Sequence, residues 1–299
     1  MANMFSLHGK NVVITGAGGS IGMQIALLFA DAGASTLTLI DSSSQALSKL
    51  ERAFTLQPRR FDCKLMFEKC DMTDEKQLSP ILDRLDAYGG IDVMVNNAGV
   101  FPTDLDGDAI HVSLRAWELT YQVNVLGTWL GCKHAILSMR RNKKTSGSVI
   151  NVSSVAGLVG SATAQLAYTA SKGAVIAMTR ELGIVHAKEG YRFNCLCPAP
   201  LDSPMLNDFL DADDEPTKHE NDQDLAVECF SMNRRQRREV HLPQGRFGNP
   251  VEVAGAALFL ACTASSFVNS TELVVDGGLT KAFVTPEGPR HYSQRHLRR

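Results

Sequence analysis

Apolar positions follow two different spacings along the chain, and the two spacings alternate. Short runs rich in Val, Ile and Leu are almost continuously apolar, which is typical of parallel strands covered on both faces. Between them lie longer stretches whose apolar residues recur at helical spacing. The short runs predict strands at 11–15, 35–41, 63–71, 91–96, 147–153, 191–197 and 271–276. The longer stretches predict helices near 20–33, 43–56, 74–87, 113–140, 167–188 and 250–262.

This strand–helix alternation predicts an α/β fold with a parallel sheet. We expect a Rossmann-like, doubly wound sheet of about seven strands, with helices on both faces in a three-layer α/β/α arrangement. No internal repeat or low-complexity tract breaks the alternation, so we predict a single domain over residues 1–299. Within it, residues 204–249 are charged and poorly periodic, which indicates a solvated insertion or a substrate lid. We expect residues 285–299 to form a C-terminal tail.

Composition excludes several classes of function. Lys and Arg number 30 against 32 Asp and Glu, so the net charge of −2 gives no field that would attract a nucleic acid. No apolar run is long enough to span a bilayer and no secretory signal is visible, so we expect a cytoplasmic protein without a membrane partner. The 7 Cys include no C-x-x-C pair and the 8 His are scattered, so we expect reduced core cysteines and no metal site.

A glycine-rich turn, TGAGGSIG at 15–22, joins the first predicted strand to the first predicted helix. A helix N-terminus offers free N–H groups and the positive end of the helix dipole, and glycines let the backbone approach a phosphate closely. The spacing is not G-x-G-x-x-G, because Gly18 and Gly22 are one residue too far apart for that pattern. The turn therefore predicts a phosphate site, with a simple tight connection as the alternative.

Asp41 ends the second predicted strand, nineteen residues after Gly22. A carboxylate at this position can accept both hydroxyls of an adenosine ribose and would repel a 2′-phosphate. Three serines follow it, with no Arg or Lys that would bind such a phosphate. Asp41 therefore predicts NAD in preference to NADP. The alternative is a helix N-cap, which one of the following serines could also provide.

Tyr168 and Lys172 in YTASK are four residues apart and share one face of a predicted helix. A phenol has an ordinary pKa of about 10, which is too high for a base at neutral pH, and a neighbouring ammonium lowers it. Tyr168 could then take a proton from a hydroxyl or give one to a carbonyl. Ser153 and Ser154 end the fifth predicted strand, just upstream.

Asn124 lies inside the long helix predicted at 113–140. Asparagine is unfavourable in a helix interior, so its presence needs a reason. A functional role is one interpretation, and a buried amide bonded to backbone groups is the other. The sequence VNNAG at 95–99 ends the preceding strand.

Together these segments resemble the short-chain dehydrogenase/reductase family, in its standard single-domain form. The resemblance runs from about residue 5 to 284, and residues 245–278 are similar to the closing stretch of the family. In kind, the sequence is similar to bacterial and fungal members that act on cyclic secondary alcohols. The motifs fall in the family's order as TGAGGSIG (15–22), NNAG (96–99), Asn124, Ser154, YTASK (168–172) and CPAPLDSPM (197–205).

The resemblance implies a role for each matching residue. Ser154 would bind the substrate oxygen, Tyr168 would be the acid/base, and Lys172 would bind the nicotinamide ribose and lower the pKa of Tyr168. Asn124 would hold a water in a proton relay toward Lys172. Cofactor contacts would come from Gly16, Ser20, Ile21 and Gly22 at the pyrophosphate, Asp41 at the ribose, Asp71 and Met72 at the adenine, Asn97, Ala98 and Gly99 beneath the cofactor, and Pro198, Leu201 and Ser203 near the nicotinamide.

Two positions depart from the family pattern, each replacing a glycine. Ser20 stands in the glycine-rich turn, so its φ must be negative or strained. Ala199 follows Pro198, which would shift the loop that carries Leu201 and Ser203.

The function implied is NAD-dependent interconversion of a secondary alcohol and a ketone. An NADPH-dependent carbonyl reductase is an alternative that Asp41 disfavours. A lyase, isomerase or cofactor-binding protein on the same scaffold is another, which the complete set of Asn124, Ser154, Tyr168 and Lys172 disfavours. A pocket without a charged anchor favours a hydrophobic substrate such as a cyclic alcohol or ketone, and its apolar candidates are Leu158, Val159, Leu166, Met205, Leu206 and Phe209.

The helices predicted at 113–140 and 167–188 carry more apolar residues than one buried face needs. The family resemblance implies that these helices pair across a two-fold axis. We therefore expect a homotetramer, with a homodimer as the alternative.

Overall fold

A seven-stranded sheet forms the centre of the structure, a computed structural model that describes residues 3–57, 61–161, 163–203 and 234–283. Every pairing in this sheet is parallel. The strands are β1 (Asn11–Thr15), β2 (Thr36–Asp41), β3 (Lys64–Lys69), β4 (Val93–Asn96), β5 (Gly147–Val152), β6 (Tyr191–Pro198) and β7 (Glu272–Val275).

Helices connect the strands and cover the sheet. The described α-helices are α1 (Ser20–Asp31), α2 (Ser44–Thr55), α3 (Glu75–Asp83), α4 (Leu114–Thr120), α5 (Thr128–Arg141), α6 (Leu166–Val185), α7 (Arg234–Glu239) and α8 (Pro250–Ala261). The predicted α/β fold with about seven parallel strands is confirmed. The single helix predicted at 113–140 is interrupted, because Tyr121–Gly127 between α4 and α5 forms a π-helical segment.

The strand order is β3-β2-β1-β4-β5-β6-β7. The chain runs outward from β1 to β3 and then returns to the other side of β1 with β4. Ligands of doubly wound sheets bind outside the carboxyl ends of the strands at this reversal point. The glycine-rich turn follows β1 and the NNAG segment includes the end of β4, so both motifs lie at this point.

A buried line of amides and a hydroxyl crosses the sheet beneath that edge. Asn96 and Asn151 are register partners on β4 and β5. The Asn96 amide donates to Asn151 Oδ1 at 2.8 Å, and the Asn151 amide donates to Thr179 Oγ1 on α6 at 2.9 Å. All three residues are buried. These bonds fix α6 against the two central strands.

The chain forms two compact units, Met1–Pro198 with Pro250–Val275, and Ala199–Asn249 with Asp276–Arg299. In the second, Leu242 and Phe247 are buried and pack with Ala199 and Leu279. Residue 201 pairs with Gly248 in an isolated parallel bridge. The single domain over 1–299 stays a prediction.

Part of the predicted insertion at 204–249 lies outside the described residues, which resume at 234. The same holds for Met205, Leu206 and Phe209 and for the tail at 285–299. Within the part of the chain that the structure describes, no helix has the length and apolarity to span a membrane.

Candidate active site

The glycine-rich turn forms a cradle that side chains would fill. Gly16 has a φ of +60°, and a Cβ there would lie 2.8 Å from the Ala98 Cα. A Cβ on Gly22 would collide with the Gly16 carbonyl oxygen, and one on Gly18 would lie 2.5 Å from the Ala46 Cβ of α2. These positions therefore need glycine, because the backbone of the turn packs directly against its neighbours.

The N-terminus of α1 is left open by the side chains around it. Its N-cap residue, Gly19, offers no side-chain acceptor, and the first turn of the helix contains no acidic residue. By contrast, the side chains of Ser43, Asp74 and Ser113 cap the next three helices. Ser20 is the first residue of α1 and has a negative φ, so it takes the place of a glycine without backbone strain. An open helix N-terminus beside a glycine cradle fits a pyrophosphate.

Thr15 ties the cradle to the NNAG segment. Its Oγ1 accepts the N–H groups of Asn97 and Ala98, each at 3.1 Å. In return, the Asn97 amide donates to the carbonyl oxygens of Thr15 at 3.1 Å and Gly16 at 2.9 Å. Asn97 and Ala98 are therefore fixed next to Gly16 by paired bonds in both directions.

Asp41 lies at the end of β2 and holds the turn from the other side. Its carboxylate accepts the Gly18 N–H at 3.0 Å and the Ser43 N–H at 2.9 Å. The N-cap of α2 is Ser43, whose hydroxyl accepts the Ala46 N–H at 3.2 Å. The N-cap of α2, which was the alternative role for Asp41, is therefore provided by Ser43.

Asp71 and Met72 follow β3. Asp71 Oδ1 accepts both the N–H and the hydroxyl of Thr73 at 2.9 Å, so its exposed carboxylate closes a local turn. Met72 is buried, and a Cβ on Gly127 would lie 3.4 Å from its Cβ. The role of this pair at an adenine stays a prediction.

Ser154 and Tyr168 meet at the end of β5. The Ser154 side chain lies close enough to the Tyr168 phenol to lower its pKa. The phenol ring also packs on Phe101, with 4.6 Å between ring centroids. Ser153 is used differently, because it is buried and donates to the Lys172 carbonyl oxygen at 2.8 Å. Of the two serines, Ser154 is therefore the one placed at the phenol.

Lys172 is buried one helical turn beyond Tyr168. Its ammonium donates to the Val152 carbonyl oxygen at 3.0 Å and lies 5.6 Å from the centroid of the Tyr168 ring. Gly99 leaves room beside it, since a Cβ there would approach the Lys172 nitrogen to 3.4 Å and Asn124 Oδ1 to 3.2 Å. Four of the predicted residues, Gly99, Asn124, Tyr168 and Lys172, are thus brought together.

Asn124 is buried in the π-helical segment, and its side chain is bonded on both sides. Its Oδ1 accepts the Val100 N–H at 2.8 Å, and its amide donates to the Val100 carbonyl at 3.1 Å and to Ser171 Oγ at 3.0 Å. The interpretation of a buried amide bonded to backbone therefore describes these contacts. The role in a proton relay stays a prediction.

Leu201 and Ser203 belong to the second compact unit. Leu201 is buried there, and the neighbouring Asp202 N–H donates to the Gly248 carbonyl at 2.8 Å. Contacts of Pro198, Leu201 and Ser203 with a nicotinamide stay predictions. Among the described residues, no group of three or more His, Cys, Asp or Glu side chains could hold a metal ion.

Asp106 is a residue of this site that sequence reasoning missed. It lies in the loop after β4, and its carboxylate accepts the N–H groups of Ala167 at 3.0 Å and Tyr168 at 2.9 Å. A signal was present in the sequence, because Gln165 and Leu166 at the start of the helix are not capping residues such as Ser, Thr, Asp or Asn. A helix without a local cap needs an acceptor from elsewhere.

Comparison with known proteins identifies the family. The family model described as enoyl-(acyl carrier protein) reductase matches residues 16–280. A solved structure described as a short-chain type dehydrogenase/reductase from Mycobacterium marinum superposes with a TM-score of 0.79 at 27% identity, covering 93% of this chain and 98% of that one. The chain belongs to the short-chain dehydrogenase/reductase family.

Two named relatives are similar in sequence to this chain over most of its length. L-fucose dehydrogenase of Bos taurus is 32% identical over 271 residues, which is 90% of this chain and 89% of the relative. The 2,5-dichloro-2,5-cyclohexadiene-1,4-diol dehydrogenase of Sphingobium indicum is 32% identical over 278 residues, which is 93% of this chain and 99% of the relative. As a short-chain dehydrogenase/reductase, the chain is an NAD(P)-dependent oxidoreductase acting on CH–OH groups.

Burial controls the charges in the site of this short-chain dehydrogenase/reductase. It lowers the pKa of Lys172 from 10.5 to about 8, since an ammonium is disfavoured away from water. Burial also raises the pKa of Tyr168, and the neighbouring Ser154 hydroxyl offsets this only in part. The expected lowering of the Tyr168 pKa by Lys172 stays a prediction. The Lys172 ammonium lies 5.6 Å from the centroid of the Tyr168 ring and donates to the Val152 carbonyl oxygen.

The lowered pKa of Lys172 predicts a pH-dependent stability. Below pH about 8, Lys172 is protonated in both states, and the folded protein bears the full cost of burying the ammonium. Between about 8 and 10.5 the unfolded chain binds more protons, so the free energy of unfolding rises with pH. Each unit of pKa displacement is worth about 1.4 kcal/mol, which gives a few kcal/mol over this window.

Urea unfolding of the parent and of Lys172→Met at pH 8 to 10.5 measures this effect. The difference between the two proteins isolates Lys172 from other groups that titrate in the same range. We expect the parent to gain stability relative to the variant as pH rises. A constant difference across the window would show that Lys172 is not the titrating group.

Proposed function

We propose that the protein is an NAD-dependent dehydrogenase that interconverts a secondary alcohol and a ketone on a hydrophobic, cyclic small molecule. The observation that carries the proposal is the assembly of Ser154, Tyr168 and Lys172 beside the glycine cradle at the carboxyl ends of β1, β4 and β5. The cyclohexadiene-diol dehydrogenase relative supports a cyclic substrate. In this proposal the enzyme works in the cytoplasm as one domain of residues 1–299.

The proposed chemistry divides between three side chains. Ser154 positions the substrate oxygen by a hydrogen bond, and Tyr168 exchanges a proton with that oxygen. The bound nicotinamide dinucleotide would accept a hydride from the substrate carbon or supply one to it. A raised pKa keeps the Tyr168 phenol protonated at neutral pH, so it is ready to give a proton to a carbonyl. In the oxidation direction the phenolate is needed, so turnover should increase with pH.

The cradle fits the dinucleotide as follows. Gly16, Ser20, Ile21 and Gly22 would hold the pyrophosphate at the open N-terminus of α1. Asp41 would bind the adenosine ribose, Asp71 and Met72 would flank the adenine, and Asn97, Ala98 and Gly99 would lie beneath the cofactor. Lys172 would bind the nicotinamide ribose, for which its ammonium has donors beyond the one given to Val152. Pro198, Leu201 and Ser203 would contact the nicotinamide.

The nature of the substrate rests on exposed apolar side chains close to Ser154 and Tyr168 in sequence. Leu158, Val159 and Leu166 are all more than a third exposed, at 39%, 38% and 37%. Exposed apolar groups between Ser154 and Tyr168 in the chain favour an apolar ring. The L-fucose dehydrogenase relative favours a second candidate, a sugar, so a substrate panel must contain both classes.

Replacing Tyr168 tests the mechanism. Tyr168→Phe removes the proton donor and keeps the ring, so turnover should fall by roughly 10²–10⁴-fold while NAD binding is kept. Ser154→Ala should also lower turnover, because the substrate oxygen loses a positioned donor. Initial rates over a pH series, with NAD titrations, measure both.

Ser153→Ala is the matched control for Ser154→Ala. Ser153 bonds the Lys172 carbonyl oxygen and not the phenol, so its loss should affect turnover much less. Near-parental turnover in Tyr168→Phe would overturn the redox mechanism and leave the non-redox interpretation. Equal losses in the two serine variants would remove the distinction between them.

Cofactor preference tests the role of Asp41. A carboxylate that binds the ribose hydroxyls repels a 2′-phosphate, so NAD should bind at least about tenfold more tightly than NADP, or about 1.4 kcal/mol. Asp41→Ala should narrow that ratio. Because Asp41 also accepts the Gly18 N–H, the variant will bind both cofactors more weakly. The ratio of the two affinities is therefore the informative quantity. Fluorescence titration measures it, and equal affinities in the parent would refute the assignment.

The quaternary structure is proposed to be a homotetramer. Apolar side chains on the outer faces of α5 and α6 are exposed, including Trp129 at 43%, Ile184 at 67% and Val185 at 59%. Light scattering should give a mass near four times the chain mass of 32.5 kDa. Ile184→Lys should lower that mass. Leu56→Lys, at the residue that follows α2, is the control, since Leu56 is exposed to a similar extent at 71%. A dimer mass would support an interface between two copies only, and a monomer mass would refute the proposed assembly.

A further inference from the structure

The helix that carries Tyr168 does not cap itself. The N-cap residue of α6 is Gln165, which makes no side-chain capping bond, and the first turn contains no acidic residue. The N–H groups at the start of a helix have no partner within the helix. In α6 these groups include the N–H of Tyr168.

Two consecutive residues of a distant loop satisfy these groups. The Asp106 carboxylate accepts the N–H of Ala167 at 3.0 Å and of Tyr168 at 2.9 Å. The Gly107 carbonyl oxygen accepts the N–H of Leu166 at 2.9 Å. Asp106 therefore acts as the N-cap of α6, although it lies 62 residues before Tyr168 in the chain. A local N-cap side chain would bond the same two positions of the first turn.

The same loop also holds the Tyr168 ring. Phe101 packs on that ring with 4.6 Å between centroids. The loop is itself fixed at both ends, by the paired bonds between Val100 and Asn124 and by the Ser113 hydroxyl, which donates to the Leu105 carbonyl oxygen at 3.1 Å. Tyr168 is therefore held by the loop at two points, its backbone and its ring.

We propose that Asp106 is a positioning residue for Tyr168. Its carboxylate locks the first turn of α6 to the loop after β4 and so sets the distance from the phenol to Ser154. This inference rests on the proposed function, in which Tyr168 transfers the proton. A negative charge at a helix N-terminus also interacts favourably with the helix dipole, which strengthens the lock.

Position along the helix predicts which kinetic quantity changes. Tyr168 lies in the first turn, which depends on Asp106, whereas Lys172 lies one turn deeper and is anchored to Val152. Loss of Asp106 should therefore move the phenol and leave the lysine in place. The expected result is a lower kcat with little change in KM or in the affinity for NAD.

The first measurement compares Asp106→Ala with Asp108→Ala. Asp108 lies in the same loop, but its carboxylate accepts the N–H groups of Ile110 and His111 in its own turn. Misplacement of a reacting group by about 1 Å can cost roughly 10²-fold, so we expect kcat to fall by about 10–100-fold in Asp106→Ala. Asp108→Ala should stay within about twofold of the parent. Equal kcat values in all three proteins would overturn the proposal.

A second variant separates positioning from helix capping. Gln165→Asp, added to Asp106→Ala, supplies a local N-cap for the N–H groups of Ala167 and Tyr168. We expect the double variant to recover thermal stability while kcat stays low, because the helix is capped but no longer tied to the loop. Full recovery of kcat would show that Asp106 is only a cap. If Asp106→Ala does not fold, Asp106→Asn, which keeps one acceptor oxygen, takes its place and should retain part of kcat.

Hydrogen exchange gives a readout that does not depend on activity. Exchange of a peptide covering residues 163–172, followed by mass spectrometry, should be faster in Asp106→Ala than in the parent and unchanged in Asp108→Ala. If the parent oxidises no alcohol on the substrate panel, the proposed function fails, and this exchange experiment still decides whether Asp106 locks α6. Unchanged exchange in Asp106→Ala would refute the proposal that Asp106 fixes the first turn of α6 to the loop after β4.

Discussion

The site depends on how buried polar groups at the carboxyl ends of the central strands find partners without water. Thr15 accepts two consecutive N–H groups of the NNAG segment, and Asn97 donates back to the turn. Lys172 donates to the last carbonyl of β5. Because unpaired buried groups are costly, each segment is held where its neighbour supplies the missing partner. The cradle and α6 therefore take their positions from buried hydrogen bonds of this kind.

That burial also determines the electrostatics. It disfavours the charged form of both Lys172 and Tyr168, lowering the pKa of one and raising that of the other. Two groups that each resist ionisation lie next to each other in a region where water screens poorly. A charge that binds beside them interacts with Lys172 and Tyr168 more strongly than it would with groups at the surface. Their protonation should therefore respond to what the site binds more than to the bulk solution.

The sequence predicted the features that depend on local spacing. Strand and helix positions, the glycine cradle and the shared helix face of Tyr168 and Lys172 all follow from residues that are close in the chain. It missed Asp106 because the partner N–H groups lie about sixty residues further on. It could not show that burial raises the pKa of Tyr168, because the spacing of residues says nothing about how deeply a side chain is buried. The bonds between the Asn124 side chain and the Val100 backbone likewise join residues far apart in the chain, and no local pattern reveals them.

The amide line from Asn96 through Asn151 to Thr179 has a consequence for folding fidelity. Parallel strands rich in Val and Ile look alike to one another, and apolar contacts alone would tolerate a slipped alignment. A shift of one residue between β4 and β5 would turn these amides to opposite faces of the sheet and strand them among hydrocarbon. The two asparagines thus favour a single register of β4 and β5. A slipped register, which the surrounding hydrophobic residues alone would tolerate, is destabilised because it leaves the amides unpaired.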